Sequence, residues 1–380
     1  MRLFRLNVRV ERALAALSLA GTLGVTCVHA DPLGLPKVPI PIDNPQTPEK
    51  IALGDKLFHD QRFSIDGTVS CATCHNEKKA FTDSPLKTSE GHAKLTGTRN
   101  APTVINAAYF TTMFWDGRSS SLEDQSQFPM INPVEMGLPN HDPVLKIVRE
   151  DPAYVDGFKK AFNKSGKDVT MEEVKKAIAA FERTVVSGDS PFDKWYFGGD
   201  ANAISAQAKR GFDVFIGQGR CVSCHAVEQT QALFTDNKFH NIGVGINRIQ
   251  GDVPRLAGEF LKAKAAGADV DKSVLGDPKS SDLGRFAVTD SLDEIGGFKT
   301  STLRNIAQTA PYMHDGSLKT LKDVVKHYNE GGKSPGDPNP VNPYLSGGIR
   351  PLNLTDQQID DLVAFMETLT SPSFATAQSK

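Results

Sequence analysis

Two copies of Cys-x-x-Cys-His fix what this chain can become. The first is Cys71-Ala72-Thr73-Cys74-His75 and the second is Cys221-Val222-Ser223-Cys224-His225. The spacing sets two thiols along one edge of a porphyrin, where each forms a thioether, and swings the next imidazole under the iron. The one other cysteine, Cys27, lies within the first thirty residues. A zinc site built from four cysteines has its pairs about 15–20 residues apart, far closer than these. A thioredoxin-type redox pair needs a strand–helix–strand setting that neither stretch offers. Each motif therefore reads as an attachment site for covalent c-type haem, with His75 and His225 as proximal ligands.

At 380 residues the chain fits two domains, one haem to each half. Its start reads as a secretory leader, residues 1–30. Arg2, Arg5, Arg9 and Arg12 form a basic beginning, Ala13 to Val25 is apolar, and Val28-His29-Ala30 offers a small-x-small site with cleavage after Ala30. Cys27 invites a lipoprotein reading, but Gly24-Val25-Thr26 lacks the leucine expected before a lipidated cysteine. Export to the periplasm agrees with the motifs, because c-type haem is attached outside the cytoplasm. No later segment is long and apolar enough to span a membrane. The 43 basic and 45 acidic residues give −2, and loss of the leader's four arginines and one glutamate leaves 39 and 44, or −5. That balance argues against nucleic acid and anionic membrane surfaces as partners.

Along the chain, Thr47-Pro48-Glu49 predicts a helix start, with Ile51, Leu53, Leu57 and Phe58 at helical spacing. A long loop-rich stretch from Asn76 to Asn140 follows the first motif, and a stretch of that kind is more often functional than idle. Helices resume at Asp142-Pro143 and Asp151-Pro152. Another opens at Thr170 with a capping box to Glu173 and carries Val174, Ile178, Phe181 and Val185 on one face. Polar, glycine-rich Ser187 to Asn202 predicts a junction. From there the plan repeats: Gly211, Phe212 and Phe215 precede the second motif as Gly54, Leu57 and Phe58 precede the first. Arg99-Asn100, Trp115-Asp116-Gly117 and Leu122 are echoed by Arg304-Asn305, His314-Asp315-Gly316 and Leu321. The last helix starts at Thr355 and carries Ile359, Leu362, Val363, Met366 and Leu369 as its apolar stripe. No period-2 run of strand length stands out. The expected fold is all-α and loop-rich, with two cytochrome c-like domains related by duplication, 31–200 and 201–380.

The residues then match a family. The chain resembles the bacterial di-haem cytochrome c peroxidases and the related MauG-type enzymes over nearly all of its length after the leader. The resemblance rests on the two haem motifs, Gly91-His92, Arg99-Asn100-Ala101-Pro102-Thr103, Phe114-Trp115-Asp116-Gly117-Arg118, Asn132-Pro133-Val134-Glu135-Met136 and Ala310-Pro311-Tyr312-Met313-His314-Asp315-Gly316. It implies a peroxidatic haem in the N-terminal half and an electron-transfer haem in the C-terminal half. Peroxide cleavage needs a base beside an open iron position, and the resemblance places Glu135 there. Trp115 corresponds to a tryptophan between the haems that can relay electrons. Gln125 and Pro129 match positions lining the MauG-type distal pocket. His92 stands where classical members keep a removable distal ligand on the first iron. Tyr328 occupies the position of the second iron's distal ligand, where classical members place methionine and MauG-type members a tyrosine; His327 and Met313 are rivals. Axial ligands of this kind move haem potentials over about 0.8 V. The resemblance also implies one calcium ion near Asn100, Thr309 and Pro311. His314 would orient the haem pocket or a propionate, while His59, His141 and His240 are read as structural.

The implied activity is reduction of hydrogen peroxide with electrons from a small cytochrome c or copper protein. His92 favours that reading, and Tyr328 favours the MauG-type alternative, oxidation of side chains in a protein substrate. A third reading, a non-catalytic di-haem electron carrier, leaves Glu135 and Trp115 without chemistry. Dimerisation, common among the peroxidases, is the further assembly the resemblance implies.

Overall fold

A computed structural model describes residues 32–333 and 342–375. The leader and its cleavage site after Ala30 lie outside the described residues. Each half is built on one pair of crossed helices. In the first, α1 (Pro48–Phe58) starts where Thr47 accepts from the Lys50 amide and proline takes the first turn. Its partner α2 (Met171–Glu182) opens with the Thr170–Glu173 capping box. In the second half, α3 (Ala206–Ile216) is capped by Ser205, and α4 (Asp356–Glu367) opens with a Thr355–Gln358 box.

The two crossings are copies of one another. A Cβ on Gly54 of α1 would lie 1.9 Å from the Ala177 carbonyl oxygen and 2.9 Å from Phe181 Cβ. A Cβ on Gly211 of α3 would lie 1.9 Å from the Asp361 carbonyl oxygen and 2.8 Å from Phe365 Cβ. Only glycine lets the backbones approach this closely. Phe58 then meets Phe181 at 5.1 Å between ring centroids, and Phe215 meets Phe365 at 5.0 Å. Buried Leu53, Leu57, Val174 and Ile178 fill the first core, and Phe212, Ile359 and Leu362 fill the second.

The loops repeat as well, with one correction to the register. Thr103 Oγ1 donates to the Ala80 carbonyl and Thr302 Oγ1 to that of Leu233, both at 2.7 Å. Asn106 and Asn305 take left-handed conformations, φ 63° and 59°, and each opens a short 3₁₀ turn, Ala107–Tyr109 and Ile306–Gln308. Phe114 and Met313 are again left-handed at the matching place. Trp115-Asp116-Gly117 is thus the counterpart of His314-Asp315-Gly316, as expected. Arg304-Asn305 instead matches Ile105-Asn106, so its pairing with Arg99-Asn100 does not hold. The side-chain partners agree: Arg99 binds Asp116, whereas Arg304 binds Asp193.

Two strands, β1 (Phe239–His240) and β2 (Phe298–Lys299), pair antiparallel, Phe239 with Lys299 and His240 with Phe298. A helical stretch between them, including Val253–Ala265 and Val270–Gly276, has its own apolar cluster around Ile246, Phe260, Val274 and Phe286. Val134 packs against that cluster, so a segment of the C-terminal half leans on the loop that carries Glu135. Direct bonds join the halves elsewhere, from the Asn100 amide to the His314 carbonyl at 2.8 Å and from the Lys299 amide to the Trp115 carbonyl at 2.8 Å. None of the described helices is long and apolar enough to cross a membrane.

Candidate functional site

Cys71, Cys74 and His75 line one cavity, and Cys221, Cys224 and His225 line another, of about 560 Å3. With the two pairs in different cavities, a shared four-cysteine zinc site is ruled out. In both motifs the histidine amide closes on the first cysteine's carbonyl, at 2.9 Å for His75 and 2.8 Å for His225. The rings are then fixed through Nδ1, 3.3 Å from the Phe81 carbonyl oxygen and 2.9 Å from that of Phe234. That contact selects the tautomer that leaves Nε2 bare for a metal. Burial holds both imidazoles below their ordinary pKa, hence neutral, and pushes the Cys71, Cys74 and Cys221 thiols up to about 12. Paired thiols and a neutral, oriented imidazole in each of two apolar cavities are the donors that two c-type haems require.

The first cavity carries an acid–base group. Glu135 reaches its wall from the loop after Asn132, and Oε2 is sealed from solvent without a hydrogen-bond partner among the described residues. Burial, reinforced by nearby Asp271 and opposed by Arg118, pushes its carboxyl up to about 8. A chain of buried charges backs it. Asp116 takes Arg99 Nη1 at 2.5 Å and Arg118 Nη1 at 3.0 Å, and Asp271 takes Arg118 Nε at 2.8 Å and Asn132 Nδ2 at 2.5 Å. Gln125 and Pro129 line the same cavity.

His92 is not brought there. Its ring sits 2.8 Å from the Pro133 carbonyl oxygen, and it is absent from the cavity wall. Its amide donates to the Glu135 carbonyl at 2.7 Å, so the two loops are tied together. A displacement of the His92 loop therefore pulls directly on Glu135.

Trp115 stands in the wall common to both cavities, with Asn100, Phe110 and Lys299. Its indole N–H donates to the Asn100 carbonyl at 2.9 Å, which fixes the ring. Tyr328 lines the second cavity, and its hydroxyl has no hydrogen-bond partner among the described residues. Burial holds that phenol above its ordinary pKa. His327 turns the other way, with Nε2 2.8 Å from the Ile242 carbonyl oxygen, and does not line the cavity. Met313 does line it. His314 is buried in the wall, stacked on Phe298 at 3.5 Å and 3.6 Å from Asp282. Asn100, Thr309 and Pro311 line this cavity too.

Several residues escaped the sequence reading. Glu182, the last residue of α2, lines the first cavity with Oε2 unpartnered among the described residues and its carboxyl pushed up to about 8 by burial. The sequence offered only its place on a helix, a turn beyond Ile178. Asp271 and Lys299 come from distant segments with no motif around them. His240, read as structural, lines the second cavity and pairs with Asp236 at 2.8 Å. Cys224, Asp236 and His240 lie close enough together for a metal, but Cys224 belongs to the second haem motif.

Comparison with known proteins decides the family. A family model for the di-haem cytochrome c peroxidases matches residues 48–202, and one for cytochrome c matches 208–370. A cytochrome c peroxidase of Denitromonas iodatirespirans is 36% identical over 374 residues, 96% of this chain and 93% of that protein. The chain belongs to the di-haem cytochrome c peroxidase family. The family's MauG branch is equally near: the methylamine utilization protein MauG of Methylorubrum extorquens is 38% identical across 87% of this chain and 81% of that protein. Among solved structures, a MauG-like protein associated with microbial copper homeostasis superposes with a TM-score of 0.71 at 31% identity, covering 90% of this chain and 97% of that one. As a member of this family the chain is an oxidoreductase with two haems on two cytochrome c-like domains.

Proposed function

We propose that this enzyme works in the periplasm and reduces hydrogen peroxide to water with electrons from a small cytochrome c or copper protein. The observation that carries the reading is Glu135, a buried, unpartnered carboxyl in the cavity of the first haem motif. When bound, each haem supplies an iron that exchanges single electrons, and the first offers the position where peroxide binds. Glu135, deprotonated, takes the proton from the near peroxide oxygen and returns it to the departing one, a contribution of about 10²–10⁴ in rate. Gln125 and Pro129 bound the space in which peroxide sits. The Phe81 carbonyl orients His75, and the Phe234 carbonyl orients His225. Trp115, shared by both cavity walls, relays electrons from the second site to the first. His92, held away from the wall, leaves that site open, and its return to the cavity is the lock expected of the resting enzyme. One calcium ion held by Asn100, Thr309 and Pro311 would brace the wall between the haems.

Tyr328 supports a second reading. An unpartnered phenol facing the second cavity is the arrangement expected of MauG-type enzymes, which oxidise a protein substrate. Peroxide-driven oxidation of a reduced small cytochrome c separates the two. Rapid turnover is expected. Peroxide consumed into a long-lived oxidised state, with the donor barely touched, would replace the peroxidase reading with the MauG-type one.

A further inference from the structure

Lys299 is a buried cation that its surroundings leave without an anion among the described residues. It is only 8% exposed, yet no carboxylate among the described residues lies within ion-pair distance of its ammonium. Nζ donates to the Thr112 carbonyl at 2.7 Å and lies 4.1 Å from the centre of the Phe110 ring. The acidic group nearest in effect, Asp116, is already occupied by Arg99 and Arg118. One carbonyl and one ring face do not repay the burial of an ammonium, which normally demands an anion. Burial accordingly pulls Lys299 down to about 7. The position is fixed from both sides: β1 pairs with its strand, and its amide holds the Trp115 carbonyl.

The missing anion belongs to the cofactors. Each haem carries propionate carboxylates on the edge opposite the one tied to its cysteines. Lys299 lies on neither cysteine loop but in the wall that both cavities share. The other buried cations of the first cavity, Arg99 and Arg118, already have their carboxylates. We infer that Lys299 binds a haem propionate at the junction of the two cavities and so sets the reduction potential of the haem it holds, beside Trp115. The inference rests on occupancy of both haem sites and not on the peroxidase activity. A fixed positive charge favours the reduced iron, so its removal lowers the midpoint potential.

The test uses the haem-loaded enzyme, with two attached haems first verified by pyridine haemochrome absorbance. Spectroelectrochemical titration of Lys299→Met should show at least one midpoint lower than in the native protein, and Lys299→Arg should restore most of the difference. Unmoved midpoints in a haem-complete Lys299→Met protein would overturn the inference. So would a fall that Lys299→Arg does not relieve, since packing would then be the cause. If Lys299→Met fails to take up both haems, resonance Raman of the native enzyme decides. A propionate bending band that shifts in D2O in the native protein and loses part of that shift in Lys299→Arg supports the contact. A band unmoved by D2O refutes it.

Discussion

The two halves share one scaffold and differ in what they present to their cavities. The glycine-mediated crossings at Gly54 and Gly211, the phenylalanine pairs beyond them and the carbonyl-held histidines are features common to both. Their distal walls are not. The first offers Glu135, its Oε2 unpartnered among the described residues, and Gln125; the second offers Tyr328 and Met313. Duplication thus supplied the haem holder twice, and under the proposed reading the residues that differ divide the work into a peroxide site and an electron-entry site. Family membership itself does not choose between peroxidase and MauG-type chemistry, because relatives of both names lie at similar identity.

The difference can be broken most severely at Glu135. Glu135→Gln should keep both haems and lose about 10²–10⁴ in peroxide turnover, measured by stopped-flow oxidation of reduced cytochrome c. Unchanged turnover would remove Glu135 from the mechanism and erase the main distinction between the halves. The pH profile sharpens the same point. The competent base is the deprotonated form, and burial raises its pKa to about 8. Below that value kcat/KM should fall by about tenfold per pH unit, and Glu135→Gln should flatten the dependence.

The shared scaffold is tested by Gly54→Ala and Gly211→Ala. Each new methyl meets a backbone carbonyl, so each should destabilise its half by about 1–3 kcal/mol in denaturant unfolding followed at the haem bands. A large loss in one and none in the other would mean the crossings are not equivalent. The mildest change is Tyr328→Phe, which should alter the absorption spectrum of the second haem and leave the first largely intact. An unaltered spectrum would return Tyr328 to the core, and Met313 would become the ligand to test.

Much of this organisation was legible in the chain. The motifs located both haem sites, the capping box at Thr170 and the helix start at Thr355 located α2 and α4, and the recurrence of Gly211 and Phe215 exposed the duplication. The echo at Arg304-Asn305 misled, because matching residue letters stood in for matching backbone. The conformations of Asn106 and Asn305 set the true register. His92 carried a ligand's motif, yet its ring nitrogen is taken by a carbonyl.

The sequence by itself determined the cofactor chemistry, the helical halves and their repetition, because each depends on spacing within one short segment. Only the tertiary structure decided which groups face the same cavity. Asp271, Lys299 and Glu182 carry no local signal, since their roles arise from segments far apart in the chain meeting where water is excluded. There an unpaired charge becomes costly enough to reveal what it is waiting to bind.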